Sequence, residues 1–74
     1  MGKYIIALFD NLKNGRSEIV YVTKTQTNEN GEIYEFSQGE REHAQAFTDR
    51  KAVIAIAKIA FEADGFSGVR VIEL

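Results

Sequence analysis

The stretch Thr48–Gly65, TDRKAVIAIAKIAFEADG, decides how the chain folds, because no other long segment repeats its apolar residues with a helical period. At about 100° per residue, Lys51, Ala55, Lys58 and Glu62 fall on one narrow stripe. Ala52, Val53, Ile54, Ile56, Ala57, Ile59, Ala60, Phe61 and Ala63 cover an apolar arc of roughly 220°. A helix lying on one face of a small sheet needs a stripe only a little over about 100° wide. The excess predicts contacts beyond a single sheet face. Thr48 is the expected N-cap, followed by Asp49 in the first turn, where the helix dipole favours an anion. Lys51 stands where a capping box would place glutamate. Gly65 suits the left-handed position that closes a helix and would bring Phe66 against Phe61.

On the N-terminal side of this helix, Lys3–Phe9 (KYIIALF) is a dense run of β-formers and predicts a strand. Asn14-Gly15 and Asn30-Gly31 are both two-residue hairpin signals of the type I′ kind, which needs φ > 0 at both positions. They bound strands from about Arg16 to Thr27 and from Glu32 to Ser37, giving a three-stranded antiparallel meander. Two-residue loops would set Phe9 opposite Val20, Ala7 opposite Val22, Leu8 opposite Tyr21, Thr25 opposite Phe36 and Thr27 opposite Tyr34. Alternation then gathers Ile5, Ala7, Phe9, Val20, Val22 and Ile33 on one face. Tyr4, Ile6, Leu8, Ile19, Tyr21, Tyr34 and Phe36 fall on the other, with Thr23 and Thr25. Both faces are apolar, whereas a half-exposed antiparallel sheet keeps one polar. Asp10, Asn11 and Asn14 also permit a longer first loop, which would shift this pairing.

Gln38–Phe47 fits a loop with a short edge strand, with a helical turn as the alternative. Val69–Leu74 (VRVIEL) is a final strand. The expected architecture is a single α+β domain over residues 1–74, ordered ββ(β)αβ: the meander, one C-terminal helix packed on one sheet face, and a last strand. The helix serves as the crossover to that strand, right-handed if the strands it joins are parallel.

The composition narrows the function classes. There is no cysteine, which removes disulfides and thiolate metal sites, and the single histidine, His43, cannot build a multi-histidine site within one chain. No run of about 18 apolar residues is present to span a membrane. The start MGKYIIALFD lacks a signal-peptide pattern, and Ile6 stands where N-myristoylation needs Ser or Thr, so a cytoplasmic location is expected. Ser17, Ser37 and Ser67 lie outside any G-x-S-x-G elbow, and His43 has no evident orienting partner. Neither a phosphate-binding glycine loop nor a calcium loop occurs. The expectation is a protein that is not an enzyme and carries no cofactor or metal.

Two binding readings follow. The net charge of −2 gives no general attraction to nucleic acid. Residues 28–49 are the acidic part, with Glu29, Glu32, Glu35, Glu40, Glu42 and Asp49 against Arg41, a solvated edge and loop that would also suit a basic partner. Excess apolar surface on both helix and sheet favours protein–protein contact, most simply a homodimer, otherwise another protein. Its candidates are Ile54, Ile59 and Phe61 on the helix and Tyr4, Tyr21, Tyr34 and Phe36 on the sheet. The alternative is a nucleic-acid-binding module. There the same aromatic sheet face stacks single-stranded bases, flanked by Lys3, Lys13, Arg16, Lys24 and Arg70.

KYII at the start, AQAFTDRKAVIAIAKIA leading into and through the helix, and GFSGVRVIEL at the end together resemble small uncharacterised proteins of bacteriophages and Gram-positive bacteria. The shared features are the meander, an F-T/S-x-x-x-A approach to the helix (Phe47, Thr48, Ala52) and a final V-x-V-I-E-L-like strand. The resemblance implies a small accessory protein that binds a host or phage protein, and it transfers no catalytic or ligand residue.

Overall fold

The computed structural model describes residues 2–11, 17–62 and 65–74 of the chain. Strands β1 (Tyr4–Asn11), β2 (Ser17–Thr27) and β3 (Ile33–Gly39) precede a 3₁₀ turn (Arg41–His43), helix α1 (Arg50–Glu62) and strand β4 (Gly68–Glu73). The fold is α+β, with four antiparallel strands in one sheet of order β3-β2-β1-β4. The last strand lies antiparallel beside the first, so the handedness rule for parallel crossovers does not apply.

The register of β1 against β2 differs by one residue from the two-residue-loop expectation. Leu8 faces Val20, Ala7 faces Tyr21 and Phe9 faces Ile19. The Asn14-Gly15 turn itself lies outside the described residues. Because side chains alternate sides at every residue, a shift of one exchanges the two faces of β2. Tyr4, Ile6 and Leu8 therefore share the helix side with Val20 and Val22, and Ile19 and Tyr21 go to the opposite side with Ile5, Ala7 and Phe9. The expected aromatic face is split. On the helix side, Tyr4, Ile6, Leu8, Val22, Phe47, Ile56, Ala60 and Phe66 form the core, with Val20, Ile33, Phe36, Ala52, Val53 and Val69 packed against it. Ile6, Leu8, Val22 and Ile56 are fully buried, each contributing about 1.5–3 kcal/mol of apolar burial.

The second hairpin has a longer loop than expected. The Asn28 N–H donates to the Glu32 carbonyl at 2.9 Å, and the Gly31 N–H donates to the Asn28 carbonyl at 3.0 Å. Residues 29–31 thus form a three-residue loop, with Gly31 at φ +79; among the described residues no non-glycine takes a positive φ. The Asn28 side-chain oxygen accepts from the N–H groups of Asn30 and Glu32 and holds the loop. This loop places Thr27 opposite Ile33, not Tyr34. A bulge at Tyr34 then restores the expected pairing of Thr25 with Phe36.

A second irregularity lies between Val22 and Lys24, where Thr23 has no partner of its own on β3. Beyond Tyr21, β2 leaves β1, and the segment after the 3₁₀ turn takes its place. The Gln45 N–H donates to the Val22 carbonyl at 2.9 Å. Phe47 and Tyr4 exchange both backbone hydrogen bonds, at 2.8 and 3.0 Å. Gln38–Phe47 is thus a strand end, a 3₁₀ turn and a one-residue bridge in place of an edge strand. The helix starts one residue later than expected, with Asp49 and not Thr48 as its cap: the Asp49 carboxylate accepts from the Lys51 N–H at 2.9 Å. At the other end Gly65 takes φ +72 and the Phe66 N–H donates to the Ala60 carbonyl at 2.9 Å. Phe66 is buried in the core beside Ala60, while Phe61 is half exposed.

Ile56→Ala and Leu8→Ala should each lower the unfolding free energy by about 2–5 kcal/mol in urea titrations. Ile19→Ala should change it by less than about 1 kcal/mol, because Ile19 lies half exposed on the opposite side. Gly31→Ala should cost about 1–2 kcal/mol through its positive φ alone.

Candidate interaction surfaces

Tyr4 joins the start of the sheet to the start of the helix. Its ring stacks on Phe47 with centroids 6.1 Å apart and planes 25° from parallel, both rings buried. Its hydroxyl donates to the backbone carbonyl of Asp49, the helix cap. Burial raises the phenol above its ordinary pKa of 10.0; the nearby Asp49 carboxylate adds to the rise and Arg50 opposes it. The folded state therefore favours the neutral phenol more than the unfolded chain does. The resulting stability is fully present below pH 10 and is lost as pH rises through the higher, folded value.

The helix sits off-centre. It packs closely on β3 and only lightly on β4. Its buried positions, Ile56 and Ala60, continue into half-buried Ala52 and Ile59 on the β3 side. There a cleft of about 720 Å³ runs along the Asn30–Ile33 turn. Ile54, which lines both clefts, is 70% exposed, and Val71 on β4 is 44% exposed. Between them lies a cleft of about 590 Å³ lined by Tyr4, Arg50, Val53, Ile54, Val71 and Glu73. The apolar excess of the helix is thus half-covered on one flank and bare on the other.

The expected interaction residues separate accordingly. Ile54 and Phe61 lie on exposed parts of the helix, and Ile59 is half-buried toward β3. Tyr4 is core, and Phe36 packs against the core. Tyr21 is half-buried on the opposite side, where the Arg41 guanidinium sits 5.9 Å from its ring centre. Tyr34 is exposed at its bulge and shares a 3.3 Å hydrogen bond with Gln26. Of the basic residues grouped with the aromatic rings, Lys3, Lys24 and Arg70 are exposed, while Lys13 and Arg16 lie outside the described residues. No single face brings the four rings together. Sequence reasoning missed Val71 and Leu74, the latter 69% exposed. Only part of their signal was present: the alternation of Val69 and Val71 can be read in the sequence, whereas the place of β4 at the sheet edge comes from the structure.

Among the described residues, no three His, Cys, Asp or Glu side chains converge to hold a metal ion, and no buried side-chain polar atom lacks a hydrogen-bond partner. His43 lies 3.6 Å from Glu42 with both side chains largely exposed. No described helix is long and apolar enough to cross a membrane.

None of three comparisons with known proteins finds a match: protein-family models, curated proteins and solved structures all return nothing.

Tyr4→Phe keeps the ring packing and removes the hydroxyl bond, so it should cost about 1 kcal/mol at neutral pH. In thermal melts from pH 8 to 11.5 the parent protein should lose stability above pH 10, and the Tyr4→Phe variant should lose less over the same interval.

Proposed function

We propose that this protein is a small non-catalytic interaction module that works by self-association. The observation that carries the reading is the set of exposed large apolar side chains. Ile19, Tyr34, Ile54, Phe61, Val71 and Leu74 are between 44% and 70% exposed. Two of them, Ile54 on α1 and Val71 on β4, line one cleft where the helix leaves the sheet bare. Concentrations of exposed apolar surface on small domains mark contact with other proteins. Size adds a second support, because domains of this length commonly gain stability by association. The separation of Tyr4 and Phe36 from Tyr21 and Tyr34 supports a protein partner over stacked bases, which need rings on one platform.

Sedimentation velocity or light scattering from about 1 to several hundred µM tests this reading. A mass that rises to twice that of the chain or more supports it. A concentration-independent monomer mass contradicts it.

A further inference from the structure

The outer edge of β4 carries an unmade hydrogen-bond ladder, and its geometry specifies a partner. The Leu74 N–H donates to the Lys3 carbonyl at 2.9 Å, which makes Tyr4 and Glu73 a non-hydrogen-bonded pair of the β1–β4 ladder. Ile72 and Arg70 therefore bond to β1, and the backbone N–H and C=O groups of Val69, Val71 and Glu73 point away from the sheet. No described strand lies beyond them, since β4 ends the order β3-β2-β1-β4. The two edges of the sheet are unlike. β3 is broken by the bulge at Tyr34 and carries Glu35 beside the acidic turn, features that discourage strand addition. β4 pairs with β1 without a register shift and contains neither proline nor lysine.

We propose that β4 pairs antiparallel with β4 of a second copy, with Val71 on the two-fold axis, to make one continuous eight-stranded sheet. The inference rests on the self-association reading and names its surface. Only an antiparallel register centred on Val71 engages all three outward residues of each strand: Val71 with Val71, and Val69 with Glu73 in both directions. Arg70 then lies opposite Ile72 of the second copy, so no like charges face each other directly. Both helices fall on the same side of the joined sheet. The exposed Val71 side chains meet across the axis, between the bare flanks that carry Ile54. Contacts between identical edges close on themselves and give a dimer. A β4-to-β3 contact would continue into a filament.

The absence of cysteine makes the test direct. In a hydrogen-bonded antiparallel pair, Cα atoms lie about 5.5 Å apart, within disulfide range. Val71→Cys should therefore form a covalent dimer under mild oxidation at concentrations where the parent protein associates. Val69→Cys alone should not, but a mixture of Val69→Cys and Glu73→Cys chains should give the mixed dimer. Ile19→Cys, on the opposite side, is the control. Val71→Pro removes an outward N–H without touching the β1 ladder, so it should raise the dissociation constant by more than about tenfold while the folded signal persists. If the parent protein associates but Val71→Cys crosslinks no faster than Ile19→Cys and Val71→Pro still associates, the edge pairing is wrong and the self-association reading stands. A parent protein that stays monomeric removes both.

Discussion

The pairing of β1 with β2 controls what the helix can bury, because neighbouring side chains on a strand point to opposite sides. With Leu8 opposite Val20, the helix side receives Tyr4, Ile6, Leu8, Val20 and Val22, a set of mainly compact aliphatic side chains that Ile56 and Ala60 can press against. A shift of one residue would bring Ile19 and Tyr21 under the helix instead. Ala60 is fully buried in the same core as the sheet's Ile6 and Leu8. The same choice sends Ile5, Ala7, Phe9, Ile19 and Tyr21 to the other side, where Ile5 and Ala7 are buried, Tyr21 lies beneath Arg41 and Ile19 is half exposed. One register thus determines both the core and the surplus.

Tyr4 transmits that arrangement to the helix. Its backbone is bracketed by Glu73 of β4 and by Phe47, and its hydroxyl reaches the cap residue Asp49. The bulge at Thr23 turns β2 away from β1 and opens the place that Phe47 occupies. The helix is therefore anchored at its first turn by the N-terminal strand, and at its last turn by Phe66 folding back to Ala60. Between these points it leans toward β3. Its lean leaves the β4 side, with Ile54 and Val71, uncovered.

Much of this was legible in the residues. The helix, the strands and the two-sided apolar character of the sheet follow from periodicity and turn residues. What could not be read was the loop length at the second hairpin. Asn-Gly signals a turn, but Asn28 offers a side-chain acceptor that stabilises a three-residue loop, and this competes with the two-residue form. The bulges at Thr23 and Tyr34 have no sequence signature either, since neither position is a glycine. The cap shifted from Thr48 to Asp49 because both side chains can accept from the first turn, and the bridge of Phe47 to Tyr4 fixes the chain direction before it. The candidate surface was half legible. The apolar excess of the helix was visible, but which flank stays bare depends on where the helix sits over the sheet.

The free ladder of β4 is the feature on which the account of this protein as a self-associating module turns. Hydrogen exchange of the β4 amides at low and high protein concentration reads it residue by residue. The Val71 and Glu73 amides should exchange freely in dilute solution and become protected as concentration rises, while Ile72, bonded to β1, stays protected throughout. Val71 and Glu73 amides that remain unprotected at every concentration, in a protein whose mass nevertheless doubles, would contradict it.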